Sequence, residues 1–244
     1  MKKINLFIIG GQKCGTTALA SFLSKHHDVC LVSGKEAHIF DQPEIENCSS
    51  IDIDKKYEPL LSHYNGEKWC CDATPIYSYW RATHSKIAQY SPDAKIIFML
   101  RDPVERAVSQ YQMEHKRGNE SVGILSAFLL EKWRLYRANQ SQSLTSSWRT
   151  HSYIDRGFFS QQYQQLLMHF RPEQILIIHN EQLKKKHHET LKRVFDFLAI
   201  ENQDIQPKTV FSSKFKVSGL QTTIAKAFAK WRLRDEIKFV DRYR

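Results

Sequence analysis

Phe7-Ile8-Ile9-Gly10-Gly11-Gln12-Lys13-Cys14-Gly15-Thr16-Thr17-Ala18-Leu19 is the stretch that decides the fold. Apolar residues run into a glycine-bounded turn, and the turn runs into a helix-compatible segment reaching Leu23. A strand, a glycine turn and a helix in that order aim backbone N–H groups and the positive end of a helix at one point, where an anion binds. The position of the lysine narrows the class of anion. A nucleoside-triphosphate loop reads G-x-x-x-x-G-K followed by Ser or Thr. Gly10 to Thr17 fits that frame except that Thr16 stands at the lysine position, and the lysine lies three places earlier, at Lys13. ATPases and GTPases need that lysine on the β- and γ-phosphates and a Ser or Thr on Mg²⁺. The loop is therefore expected to cradle the phosphate of a different anionic donor.

Working outward, Lys95-Ile96-Ile97-Phe98-Met99-Leu100 is an apolar run after a lysine, the pattern of a strand buried on both faces. It ends in Arg101-Asp102-Pro103, where Asp102 suits a helix cap and Pro103 the first turn, so that Ser109 falls about two turns inside the helix. Lys68–Asp72 and Gln174–His179 read as further strands. Ser78–Tyr90, Val104–Arg117, Ile124–Ala138, Gly157–Phe170, His187–Leu198 and Leu220–Trp231 read as helices. Residues 139–152, rich in Ser, Gln and Thr, form a loop long enough to cover a site. There is no internal repeat. Strands alternating with helices, and a phosphate loop after the first strand, predict an α/β fold: a P-loop-like three-layer α/β/α sandwich around a central parallel sheet. At 244 residues and 41% hydrophobic content, a single domain spanning 1–244 is expected.

The formal net charge of +10 points to anionic partners. Much of it is local, because residues 208–244 hold ten Lys or Arg against three Asp or Glu. Such a segment suits a donor phosphate, an acidic glycan, nucleic acid or a membrane surface. Five cysteines, at 14, 30, 48, 70 and 71, are odd in number and lack metal-ligand spacing. Reduced thiols suit a cytoplasm. The N-terminus reaches Gly10 too soon for a signal-peptide core, and no window approaches the roughly 18 apolar residues of a membrane span. The expectation is a soluble, cytoplasmic enzyme.

The segment Gly10–Thr17 resembles the 5′-phosphosulfate-binding loop of sulfotransferases that use 3′-phosphoadenosine-5′-phosphosulfate (PAPS). The resemblance implies that Lys13 meets the bridging region of the donor, where leaving-group charge builds, and that Cys14, Gly15, Thr16 and Thr17 surround the 5′-phosphate. Arg101 and Ser109 match the family's 3′-phosphate pair, a strand-end Arg followed eight residues later by a Ser. Near the C-terminus, Lys214 or Lys216 would contact that phosphate, and Phe211 or Phe215 would stack on adenine. The family pattern implies no metal, with 3′-phosphoadenosine-5′-phosphate (PAP) as product.

Sulfuryl transfer to a hydroxyl or amine also needs a base for the acceptor proton, commonly a carboxylate or histidine. Gly34-Lys35-Glu36-Ala37-His38-Ile39-Phe40-Asp41 is similar to the Glu-x-His-Phe-Phe-Asp stretch of glycosaminoglycan sulfotransferases, with Ile39 in place of the first Phe. That likeness makes Glu36 the base, His38 its competitor, and Asp41 a supporting group, while Lys35 keeps Glu36 ionised by proximity. It favours a carbohydrate acceptor, with a natural-product phenol or a lipid as the alternative. The partners expected are a small-molecule or glycan acceptor and, through the basic C-terminus, a membrane surface, but no nucleic acid. A P-loop nucleotide kinase and a non-catalytic nucleotide-binding protein are the rival classes.

Overall fold

A computed structural model of the chain describes residues 3–139, 143, 145–207 and 218–244. Its five strands are β1 (Leu6–Gly10), β2 (Val29–Leu31), β3 (Trp69–Asp72), β4 (Lys95–Leu100) and β5 (Ile175–His179). They pair in parallel in the order β2-β3-β1-β4-β5. Every residue of β1 is buried, as are all but the first of β4, which is what a central parallel strand covered by helices on both faces requires. Register is tight at the centre: Ile8 lies opposite Ile97, and Phe98 opposite Ile177.

The helices are α1 (Thr16–Leu23), α2 (Ser50–Tyr57), α3 (Arg81–Tyr90), α4 (Pro103–Lys116), α5 (Ile124–Arg137), α6 (Ser147–Thr150), α7 (Phe159–Leu167), α8 (Asn180–Lys185), α9 (His187–Leu198), α10 (Leu220–Arg232) and α11 (Arg234–Asp241). From β1 the chain goes out through α1 to the edge strand β2, returns to β3, and then crosses to β4 on the other side of β1. The carboxyl ends of β1 and β4 therefore flank the point where the winding direction reverses, the place where open α/β sheets bind ligands. One apolar core surrounds the sheet, with Phe98 edge-on to Phe159 and Phe7 edge-on to Phe40. A second cluster lies between α4, α5 and α10, built from Val108, Phe128, Ala225 and Ala229.

The α/β sandwich read from sequence is the one observed, with local differences. Asp102 caps α4 as expected, accepting the Glu105 N–H at 2.8 Å. The predicted helix Ser78–Tyr90 is instead a short 3₁₀ turn over Pro75–Ser78 and, after an extended Trp80 (ψ 105°), helix α3. Part of the expected loop 139–152 is α6, capped by the Ser146 side chain. β2 has only three residues, too few to carry a periodicity.

Candidate active site

The loop after β1 is shaped by contacts that exclude side chains. A Cβ on Gly10 (φ +143°) would lie 2.3 Å from the Met99 carbonyl oxygen, and one on Gly11 would lie 2.8 Å from both Arg106 Cδ and Phe159 Cε1. The loop is thus clamped between β4 and the second helical layer. Gly15, at φ 96°, starts α1 in a left-handed conformation, and its carbonyl accepts the N–H groups of Ala18 and Leu19. The N–H groups of Thr16 and Thr17, in the first turn, precede the intrahelical ladder and provide the anion-facing end of the helix.

Lys13 is held at φ 76°, a conformation that costs a residue with a Cβ about 1–2 kcal/mol. Burial, and then the neighbouring Arg101 and Arg117, depress its pKa. Cations crowded in this way fit a polyanion, whose arrival would reverse the repulsion. Cys14, expected beside the donor's 5′-phosphate, donates its N–H to the Gly11 carbonyl at 3.0 Å, closing the turn, and its fully buried thiol is pushed up to about 12, chiefly by burial.

Arg101 donates to the Lys13 carbonyl at 3.0 Å, so the end of β4 is tied directly to the loop after β1. Ser109 is half-buried on α4, three residues after Arg106 and so on the same side of the helix as the arginine that packs under Gly11. Arg106 itself is fully buried, bonded to Gln110 and to the Tyr153 carbonyl. The remaining donor-site expectations, Lys214, Lys216, Phe211 and Phe215, lie outside the described residues.

Glu36, His38 and Asp41 converge beside the loop. His38 Nε2 is 3.2 Å from Glu36 Oε2, and Nδ1 is 2.9 Å from Asp41 Oδ2. Ionised carboxylates only accept, so a ring facing one on each side carries both protons. In agreement, the hydrogen bond to Asp41 first, and that to Glu36 second, raise His38 to about 9. Burial pushes Glu36 up, but its bond from His38 and the Lys35 charge outweigh this and hold it below its ordinary value. Lys35 reaches in both directions: its Nζ donates to Thr17 Oγ1 at 3.0 Å and pairs with Glu36 Oε1. The anion loop and the carboxylate thus share one cation.

This cluster stands on residues that carried no motif. Asp72, fully buried at the end of β3, accepts hydrogen bonds from the hydroxyls of Thr74 (2.6 Å), Tyr57 (2.7 Å) and Tyr77 (3.0 Å) and from the Ala37 N–H at 3.4 Å. Tyr77 Oη in turn accepts the N–H of Ile39 at 2.8 Å, which fixes the backbone on which His38 sits. Arg149 on α6 pairs with Asp41 Oδ2 at 2.5 Å, both side chains being almost fully buried. Arg156 donates to the Arg149 carbonyl at 2.7 Å and to Gln12 Oε1 at 3.1 Å. Beside them the rings of Tyr79, Trp80 and Trp148 cluster at centroid separations of 5.5–6.2 Å. An aromatic-rich Pro75-Ile76-Tyr77-Ser78-Tyr79-Trp80 run was the only sequence signal for this wall.

Comparison with known proteins agrees with this geometry. The family model described as "Sulfotransferase domain" matches residues 3–225. Over 193 residues, covering 79% of the chain, it is 30% identical to mouse heparan sulfate glucosamine 3-O-sulfotransferase 3B1, and this covers 45% of that relative. It is 29% identical to human bifunctional heparan sulfate N-deacetylase/N-sulfotransferase 3, again over 79% of the chain but 22% of the relative. The chain thus spans less than half the length of these curated relatives. A crystal structure of a sulfotransferase from Alicyclobacillus acidocaldarius superposes with a TM-score of 0.74 at 25% identity, covering 98% of this chain and 97% of that one. With a family model spanning both the anion loop and the Glu36–Asp41 cluster, the chain belongs to the sulfotransferase family.

Proposed function

We propose that residues 1–244 form one catalytic domain that transfers the sulfuryl group of PAPS to a hydroxyl or amine of an acceptor, a carbohydrate in preference to a phenol or lipid. The observation that carries the proposal is Lys35, which joins Thr17 of the anion loop to Glu36. Any group transferase must bring its base to the donor, and Thr16 at the lysine position of a triphosphate loop argues against ATP as that donor.

PAPS supplies the activated sulfuryl group. The N–H groups of Thr16 and Thr17 and the ammonium of Lys13 meet the 5′ side of such a donor, and Arg101 and Ser109 meet its 3′-phosphate. These groups place positive charge where a leaving phosphate gains negative charge, with no metal called for. Glu36 accepts the acceptor's proton. His38, raised to about 9 between two carboxylates, serves as the cation that orients the Glu36 carboxylate. A carboxylate held below its ordinary pKa is a weak base, and it suffices because the acceptor oxygen turns acidic as its bond to sulfur forms. A carbohydrate acceptor is supported by the names of the curated relatives, two of which act on heparan sulfate. Five cysteines held as thiols, four of them buried, support a reducing, cytoplasmic setting.

The test is an acceptor screen with labelled PAPS, preceded by thermal titration with PAP. PAP is expected to raise the melting temperature of the parent and of Glu36→Gln but not of Lys13→Ala, with transfer abolished in Glu36→Gln. Metal-dependent turnover of ATP with no transfer from PAPS would establish the kinase reading instead. PAP binding without transfer to any acceptor would support a non-catalytic nucleotide-binding protein.

A further inference from the structure

Two helices outside the Glu36–Asp41 cluster are amphipathic the wrong way round. α5 and α10 pack against each other and share an apolar core with α4. Along α10 the residues turned into that core are small, Thr222, Ala225 and Ala229, while Leu220, Ile224 and Trp231 point outward at 75%, 44% and 66% exposure. Positions 220, 224, 227 and 231 form one stripe at helical spacing. The outer face of α5 repeats the pattern, with Leu129, Trp133 and Tyr136 at 56%, 56% and 84% exposure. Exposed apolar stripes of this kind, on two helices packed against each other, mark an interaction site rather than ordinary surface.

The charge around these stripes selects the occupant. α5 and α10 carry six Lys or Arg and one carboxylate. That carboxylate, Glu131, is buried and accepts the N–H groups of Ile154 and Asp155, each at 2.8 Å. Lys132, Arg137, Lys230 and Arg232 are exposed beside the apolar stripes, and Arg137 lies over the Trp133 ring at 5.2 Å. A second copy of the chain docked symmetrically would set these cations against each other. A sulfated glycan would satisfy the cations and stack on the rings, but it offers nothing to Leu129, Leu220 and Ile224. Aliphatic side chains between Trp and Tyr, rimmed by Lys and Arg, match the boundary of a bilayer bearing anionic headgroups.

We propose that the α5–α10 face binds the surface of an anionic lipid bilayer, its Trp, Tyr and Leu side chains at the acyl boundary and its Lys and Arg side chains at the headgroups.

Full-length protein is sedimented with phosphatidylcholine vesicles with and without phosphatidylglycerol. The parent should pellet with the phosphatidylglycerol vesicles, and less so as salt is raised. Trp133→Ser/Trp231→Ser should lose at least about tenfold in partitioning with melting temperature and PAP binding unchanged. Lys230→Gln/Arg232→Gln, also confined to exposed side chains, should weaken the anionic component alone. The proposal is overturned if the parent pellets with neither vesicle, if the tryptophan variant pellets undiminished, or if that variant only dissolves a concentration-dependent dimer. It is also overturned if heparin, and not vesicles, is what the exposed tryptophans retain.

Discussion

Asp41→Asn preserves the shape of the side chain beneath His38 and removes its charge, with two separable consequences. The first concerns stability. Asp41 Oδ2 lies 2.5 Å from Arg149, with side-chain exposures of 0% and 8%, so the pair is in the buried regime. Removing one partner there costs about 3–5 kcal/mol. Because the amide oxygen can still accept one bond from Arg149, the lower end, about 3 kcal/mol, is expected. The second concerns titration. His38 stands at about 9 against an ordinary 6.5, with the Asp41 hydrogen bond as the leading cause and the Glu36 bond second. Losing the leading cause should bring it down towards its ordinary value. A histidine whose pKa is raised by folding contributes stability that is fully present below pH 6.5 and is lost as pH rises through about 9. In the variant that loss should begin at lower pH. Urea unfolding across pH measures the first effect. Side-chain NMR titration, with the His38 signal assigned by its absence in His38→Gln, measures the second. A His38 that still titrates near 9 in Asp41→Asn would refute the claim that it bridges two carboxylates.

Other outcomes follow from the same geometry. Gly11→Ala should destabilise by about 1–3 kcal/mol, read by urea midpoint, because its methyl meets Arg106 and Phe159 at 2.8 Å. Glu36→Gln should lower turnover by about 10²–10⁴-fold while leaving PAP affinity within a few-fold, measured by steady-state transfer and calorimetry. Asp72→Asn should destabilise by about 1–3 kcal/mol in urea, since an amide placed among three hydroxyl donors leaves its own N–H groups unmatched. Lys35→Met should lower transfer more than PAP binding, because it severs the contact to Glu36 as well as that to Thr17. Equal losses in both would place Lys35 in the donor site alone.

The fold was legible where segments were long and uniformly apolar. β4 and β5 read as buried strands because parallel sheets cover both faces, and the loop at Gly10–Thr17 placed the first strand and helix with certainty of order. Of the candidate site, Lys13, Glu36, His38 and Arg101 drew notice because each sits in a local motif. What sequence hid was everything joined across long separations. Asp72 supports a backbone 35 residues earlier through Ala37, and Arg149 reaches Asp41 across 108 residues. No spacing rule connects such positions. Nor does the letter show that Cys14, inside the loop, spends its N–H on closing the turn.

Among the described residues, Lys13, Lys35 and His38 are three of the five non-glycine residues with positive φ, at 76°, 73° and 52°. At each of them glycine would relax the main chain by about 1 kcal/mol and delete a cation. A selection that rewards thermal tolerance without demanding turnover should therefore drift toward glycine at the positions the chemistry needs. Sturdier descendants of this chain obtained in that way would be inert ones, and their substitutions would mark out the site as clearly as a knockout series.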